Sequence, residues 1–297
     1  MSGYKQWEQK SHAEQYLVFE KNIGEFLSID EVSLSKGELY TFLTNKSGRG
    51  KRGSLVASIQ GTKSHEIIEV LNKLPLNKRL GVKEITLDMA NNMEYAVKKV
   101  FPNALLVTDR FHVIRLVMEA LQHCRIDYRW QALDEENKAI KEARNLKQKY
   151  KPYMFENGDT RKQLLARTKY SLAKKPNEWT THQKQRMTLL FKNYPLLENA
   201  YKHTLQLRSI YEEVQKSKAS ERLRQWITQT HKNKFEMFTT VAHTIENNYA
   251  SILNFFNHRN TNANAESFNA KVKLFRANLR GVTDTPFFLF RLMKLFA

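Results

Sequence analysis

Three aspartates directly follow short apolar runs: Asp30 after Phe26-Leu27-Ser28-Ile29, Asp88 after Val82 to Leu87, and Asp109 after Ala104 to Thr108. A fourth acid, Glu266, lies far downstream in Asn262-Ala263-Asn264-Ala265-Glu266-Ser267-Phe268-Asn269-Ala270-Lys271. Carboxylates gathered from distant positions at strand ends have one common chemical use, which is holding a hard cation such as Mg²⁺ through oxygen ligands. Two such ions about 3.5–4 Å apart activate a water or a hydroxyl and stabilise the leaving oxygen of a phosphodiester. Each acid also has a plainer reading. Asp30 and Asp88 are cap-forming types, Asp88 standing just before a helix. Glu266, Asn269, Ala270 and Lys273 share one helical face opposite the apolar stripe Phe268, Val272, Phe275 and Leu279, so a solvated Glu–Lys pair is the alternative there. His112 reads as a ligand, a partner for an acid or a packed histidine.

The elements that must position these acids follow from apolar periodicity. Residues 26–30, 39–44 and 54–60 predict an antiparallel meander, its first turn at Ser35-Lys36-Gly37, interrupted by Gly48-Arg49-Gly50-Lys51-Arg52-Gly53. A helix over 65–74 stops at Pro75, and a strand follows over 82–87. The stripe Met89, Met93, Ala96, Val97 and Val100 predicts a helix ended by Phe101-Pro102, and 104–108 is a strand. From Phe111 onward the strand signals vanish. Helical stripes such as Ile114, Val117, Leu121 and Cys124, or Val241, Ile245, Tyr249, Ile252 and Phe256, take over. The expected fold class is α/β, a mixed sheet interrupted by a large all-helical insertion. Its parts are a lead-in at 1–25, a first core part at 26–115, a basic helical insertion at 116–240 and a last core part at 241–297.

Charge points to the partner. Across 297 residues, Lys+Arg number 49 against 30 Asp+Glu, a formal net charge of +19. Residues 1–110 carry 16 basic and 13 acidic side chains, 111–260 carry 27 and 15, and 261–297 carry 6 and 2. The densest stretch, 141–190, holds 13 basic and 4 acidic residues interleaved with aromatics, which suits a polyanion. The candidate phosphate contacts are Lys141, Arg144, Lys147, Arg161, Lys162, Arg167, Lys169, Lys174, Lys175, Lys184 and Arg186. A lone cysteine, Cys124, excludes an internal disulfide and thiolate-rich zinc sites. No apolar run is long enough to span a bilayer, so a cytoplasmic, nucleoid-associated protein is expected.

Four spaced motifs carry a family resemblance: Ile29-Asp30-Glu31 followed by Lys36-Gly37; Leu87-Asp88 with Tyr95; Phe101-Pro102-Asn103-Ala104 leading into Asp109-Arg110-Phe111-His112-Val113; and Asn262 to Lys273. Together they resemble the catalytic domain of DDE transposases of bacterial insertion sequences, the ISL-three group. The resemblance implies a ribonuclease-H-like fold interrupted by a helical insertion, and Mg²⁺-dependent cleavage and joining of DNA, with Mn²⁺ as a substitute. It carries the metal-binding and catalytic triad onto Asp30, Asp88 and Glu266. Asp109 and His112 match the family's Asp-x-x-His signature, with Asp109 as the reserve second acid, and Lys273 becomes a phosphate contact.

Full-length members of the group begin with a cysteine-rich segment and a helix-turn-helix, whereas about 25 residues without cysteine precede the first strand in this chain. End recognition is therefore expected from a separate end-binding polypeptide, a missing N-terminal part or the basic insertion. The implied partner is double-stranded DNA, both transposon ends and target, acted on by a homo-oligomer. A catalytically inactive DNA-binding remnant or accessory protein is the alternative, and a nuclease that cuts without joining is a third reading.

Overall fold

The computed structural model describes residues 3–34, 37–232, 236–279 and 283–297, so the turn expected at Ser35-Lys36 lies outside the described residues. Strands β1 (Tyr16–Val18), β2 (Phe26–Ser33), β3 (Leu39–Asn45), β4 (Leu55–Gln60), β5 (Glu84–Leu87) and β6 (Leu105–Thr108) build one sheet in the order β1-β4-β3-β2-β5-β6. Pairs β1–β4, β4–β3 and β3–β2 are antiparallel. Pairs β2–β5 and β5–β6 are parallel and need crossovers. Helices α1 (Ser64–Leu71) and α2 (Leu76–Leu80) supply the first crossover, and α3 (Asn91–Val100) the second. An antiparallel trio followed by two parallel strands beside its first member is the ribonuclease-H-like arrangement.

Two elements go beyond the sequence expectation. The lead-in contains β1, which pairs Tyr16 with Ile59 and Val18 with Ala57 at the edge of the sheet. Helix α1 ends at Leu71, short of the expected stop at Pro75, and Pro75 instead opens the short α2, because its fixed φ suits the start of a helical turn.

Period-two alternation sends each strand's side chains to opposite faces. On one face Leu27, Ile29, Leu43, Ile59, Ile85 and Leu87 pack beneath Ile67, Leu71, Met93 and Val97 of α1 and α3. Of the stripe expected from Met89 to Val100, all but Met89 lie within α3 and are buried. On the other face Val32, Tyr40 and Phe42 receive α11 (Ala263–Asn278) and α12 (Thr285–Phe296) through Phe268, Val272, Phe288 and Leu292. Phe268 meets Phe42 edge-on with centroids 5.4 Å apart. Helix α10 (Tyr249–His258) covers β6, where Asn254 Nδ2 donates to the Leu106 carbonyl at 2.9 Å.

The chain divides into two compact units, Met1–His112 with Asn248–Ala297, and Val113–Asn247. The apolar stripe from Val241 to Phe256, which reads as one helix in sequence, is broken at Asn248 into α9 (Glu236–Asn247) and α10. Helix α4 (Arg110–Asn145) starts in the first unit and continues into the second. The second unit adds α5 (Arg161–Arg167), α6 (Thr181–Asn193), α7 (Pro195–Ile210) and α8 (Lys216–Lys232). Thr160 with Gln163 and Thr180 with Gln183 form capping boxes that start α5 and α6. Leu164, Leu190, Leu197, Leu207 and Trp226 are buried in its interior. His203 is buried there too, stacked on Trp226 at 4.4 Å, and burial pushes its pKa down to about 4.

Phe268 decides whether α11 stays seated on the sheet. Removing a fully buried Phe side chain costs about 3–5 kcal/mol, whereas surface changes stay within about 0.5 kcal/mol. Urea titration is expected to show that loss for Phe268→Ala and almost none for Leu274→Ala, which sits 63% exposed on the same helix.

Candidate active site

Asp30 of β2 and Glu84 of β5 use the sheet face beneath α10 and α11, whereas Glu31 meets Asn92 of α3. Asp30 does not close its strand as the sequence reading has it. Strand β2 runs on to Ser33, and Asp30 pairs with Phe42 of β3 in mid-strand. Its Oδ1 accepts the Glu31 N–H at 2.9 Å and its Oδ2 accepts Asn269 Nδ2 at 2.7 Å. Asp88 follows β5 directly, but the N-cap of α3 is Ala90 and not Asp88. Asp88 Oδ1 instead accepts the Ala90 N–H at 2.9 Å, which turns the chain away from the strand. Asp109 follows β6 and is 1% exposed. Its Oδ1 takes the Asn262 N–H at 3.4 Å, and its Oδ2 is buried with no hydrogen-bond partner among the described residues.

These acids feel one another. Burial raises the Asp30 carboxyl to about 6; the Glu31 N–H and His112 pull it down, and Asp88 and Asp109 push it further up. Glu266, on the first turns of α11, is raised by burial and by Asp109 and lowered by His112. Glu31 is raised by burial and by Asp88, and its hydrogen bond with Asn92 works the other way. Asp30, Asp88, Asp109, His112 and Glu266 therefore occupy one electrostatic neighbourhood, with Asp109 as the acid felt by both Asp30 and Glu266. They are coupled without being in ligand contact. Among the described residues, the only three acids, histidines or cysteines whose ligand atoms all lie within 4.8 Å of one another are His231, His243 and Glu246 in the second unit. Two imidazoles suit a softer ion than Mg²⁺. A cluster of bare oxygen donors around a buried, unpartnered carboxylate oxygen is what a hard divalent ion requires, and the donors of the first unit fit Mg²⁺ in that respect.

Helix α11 presents two faces to this neighbourhood. Glu266 and Lys273 are exposed as the sequence reading has them, but Asn269, expected beside them in solvent, is buried against Asp30. Asn262, at the N-cap of α11, makes no side-chain cap, and both its amide atoms are buried without partners among the described residues.

Behind the acids lies a group that the sequence reading missed. Glu84 of β5, 1% exposed, accepts hydrogen bonds from His258 Nδ1 and Asn260 Nδ2, each at 2.9 Å, and pairs with Lys46 at 3.4 Å. Lys46 also donates to Thr86, and burial lowers its pKa against the opposing pull of Glu84 and Asp109. The signal was present as Glu84, Thr86 and Asp88, three polar residues at period two within an apolar run, which is one face of a strand.

The basic candidates all lie in the second unit. Lys141, Arg144, Lys147, Lys169 and Lys184 are exposed, and Lys174 is half-buried. Lys169 Nζ sits over the Tyr170 ring at 5.4 Å. Arg161 pairs with Glu135 at 2.7 Å, Lys162 with Glu136 at 2.6 Å and Lys175 with Glu212 at 2.5 Å. Arg167 and Arg186 both hold Asp159, whose side chain is fully buried. Burial pushes the Asp159 carboxyl up, yet the bonds and charges of Arg186 and Arg167 outweigh this and keep it below its ordinary value. Those two arginines brace the unit.

The raised Asp30 value has a consequence for stability. The folded chain binds this proton more tightly than an unfolded carboxyl near 3.8, so stability falls as pH rises from about 4 through 6. Without divalent metal, Asp30→Asn is expected to unfold about 1–3 kcal/mol later than wild type at pH 8, and the gap is expected to close at pH 4, as measured by urea titration.

No curated protein and no solved structure matches the chain. The family model of the ISL3 group of DDE transposases, described as "Transposase", matches residues 27–292 and so takes in both units and every acid discussed above. The chain belongs to that transposase family.

Proposed function

We propose that the chain is an active DDE transposase that cleaves DNA at transposon ends and joins the freed 3′-hydroxyl to target DNA. The observation that carries this reading is the electrostatic coupling of Asp30, Asp88, Asp109 and, on α11, Glu266, around a buried carboxylate oxygen that has no partner among the described residues. Asp30, Asp88 and Glu266 would hold Mg²⁺, with Mn²⁺ as a substitute, and Asp109 is the reserve ligand. When bound, such ions supply the positive charge that lets a water or a 3′-hydroxyl act as a nucleophile and that stabilises the departing oxygen.

The residues of the chain set up the rest. Asn269 fixes one oxygen of Asp30, the Asn262 N–H fixes one oxygen of Asp109, and Lys46 pairs with Glu84 behind them while His258 hydrogen-bonds to it. His112 favours the charged forms of Asp30 and Glu266, against the larger opposing effect of burial. In the first reaction a water oxygen bonds to phosphorus and the 3′-oxygen leaves with a proton. In the second, that 3′-oxygen bonds to a target phosphorus, and the neighbouring 3′-oxygen of the target departs. Exposed Lys273, two turns along α11 from Glu266, lies where it can meet a phosphate.

The DNA partner is double-stranded, and exposed Lys141, Arg144, Lys147, Lys169 and Lys184 are the better phosphate contacts, because Arg161, Lys162, Arg167, Lys175 and Arg186 are engaged with acids of their own unit. Pairing two DNA ends calls for a homo-oligomer, and a separate polypeptide is one source of end recognition. No helix among the described residues is long and apolar enough to cross a membrane. A cytoplasmic, nucleoid-associated location follows from the substrate.

Mn²⁺-dependent nicking and strand transfer on supercoiled and end-bearing DNA test the reading. Asp88→Asn is expected to reduce both by more than the ~10–100-fold typical of an outer-shell partner, with DNA affinity kept, and Asp109→Asn to reduce them less. Equal activity in Asp88→Asn and wild type would remove Asp88 from the site, and the reverse ranking would move the second acid to Asp109. DNA binding without nicking by wild type would favour the inactive, DNA-binding remnant.

A further inference from the structure

The segment between β3 and β4, Lys46-Ser47-Gly48-Arg49-Gly50-Lys51-Arg52-Gly53, has four basic residues and no acid, and only Lys46 of the four is paired with an acid among the described residues. It is a built loop. Lys46–Gly48 form a 3₁₀ turn whose N-cap, Asn45, accepts the Ser47 N–H through its side chain at 3.0 Å. Backbone bonds run from Lys51 to Gly48 at 2.9 Å, from Ser54 to Lys51 at 3.0 Å and from Asn45 to Ser54 at 2.8 Å. Arg49 and Gly50 hold φ of 50° and 65°, the left-handed region that a bulky residue adopts only when its surroundings require it. A Cβ on Gly48 would lie 2.7 Å from the Ser54 Cα, so the turn closes only around glycine.

The loop is fastened to α11. Lys271 Nζ donates to the Gly50 carbonyl at 2.7 Å, and Asn264 Nδ2 to the Lys46 carbonyl at 3.3 Å. Lys46 turns its ammonium inward to Glu84 and Thr86, whereas Arg49, Lys51 and Arg52 are exposed, and none of the three is in an ion pair among the described residues. At 100° per residue, Asn264 and Lys271 lie on the flank of α11 opposite Glu266 and Asn269. Between the flanks runs an exposed ridge of small side chains, Ala263, Ser267 and Ala270. A phosphate backbone can lie close over such a ridge. The acids repel a polyanion, so a strand held near them needs compensating cations within reach.

We infer that Arg49, Lys51 and Arg52 form a phosphate clamp that grips the DNA backbone across α11 from the acids. One helix width, about 10 Å, separates clamp and acids, a span of about three base steps at ~3.4 Å each. The inference rests on the transposase reading and names the surface by which the first unit holds its substrate. Such contacts fix position without reading sequence.

The test compares wild type with Arg49→Asn/Lys51→Gln/Arg52→Gln, Asn being chosen because it tolerates left-handed backbone. DNA affinity is measured against salt concentration on duplexes of two unrelated sequences, with Mn²⁺ binding and thermal unfolding alongside. Each phosphate contact contributes about 0.9 to the slope of log affinity against log salt. The triple variant is expected to flatten the slope by about 2–3 on both duplexes and to raise KM more than it lowers kcat, with Mn²⁺ affinity and unfolding temperature unchanged. Arg49→Lys/Lys51→Arg/Arg52→Lys is expected to keep the wild-type slope. An unchanged slope in the triple variant, beside a wild type that nicks DNA, overturns the clamp alone. A wild type that binds no DNA overturns the clamp and the transposase reading together.

Discussion

Like charges drawn toward one another repel, and the first unit is organised around keeping Asp30, Asp88, Asp109 and Glu266 near each other in spite of that. Desolvation raises the energy of the ionised Asp30 and Glu266 carboxylates, and neighbouring acids raise it further. The sheet answers this by backbone geometry. Parallel β2, β5 and β6 carry Asp30, Asp88 and Asp109 on one face or just past the strand end, where short side chains cannot retreat. Donors supply part of the compensation: the Glu31, Ala90 and Asn262 N–H groups, and the Asn269 amide. What the protein leaves open, the second oxygen of Asp109 and the amide of Asn262, is polar, buried and suited to a hydrated cation.

The seating of α11 follows from the same constraint. Glu266 reaches the acids only if its helix is pinned, and the pin is apolar: Phe268 and Val272 against Phe42, Tyr40 and Phe288. Hydrophobic packing on one side of the helix thereby sets electrostatic geometry on the other. Arg276 adds an ion pair to Glu38 at 2.5 Å, and Lys271 ties the helix to the basic loop. Behind the strands, buried Glu84 pairs with buried Lys46 and accepts from the exposed His258, and Lys46 gives Asp109 a positive neighbour. The second unit follows a separate logic. Its α5 and α6 start at capping boxes, its helices close over an apolar interior, and fully buried Asp159 is held by two arginines. Dense positive charge in sequence therefore divides into side chains that brace the unit and side chains that face water.

The sequence by itself determined the run of strands from β2 to β6 and the helical character of the segment after β6, because strand alternation, helical stripes and turn residues are local signals that survive without tertiary context. Family membership was legible for the same reason, since its motifs are short and each keeps its own spacing. Long-range pairing was not legible. Tyr16–Val18 is too short to announce a strand and becomes one because β4 offers an open edge. The burial of Asn269 against Asp30, the partnership of Glu84 with His258 and Asn260, and the division of the lysines and arginines between ion pairs and solvent join residues up to 239 positions apart. Such contacts depend on which faces meet after the chain has closed, and only the tertiary structure decides that.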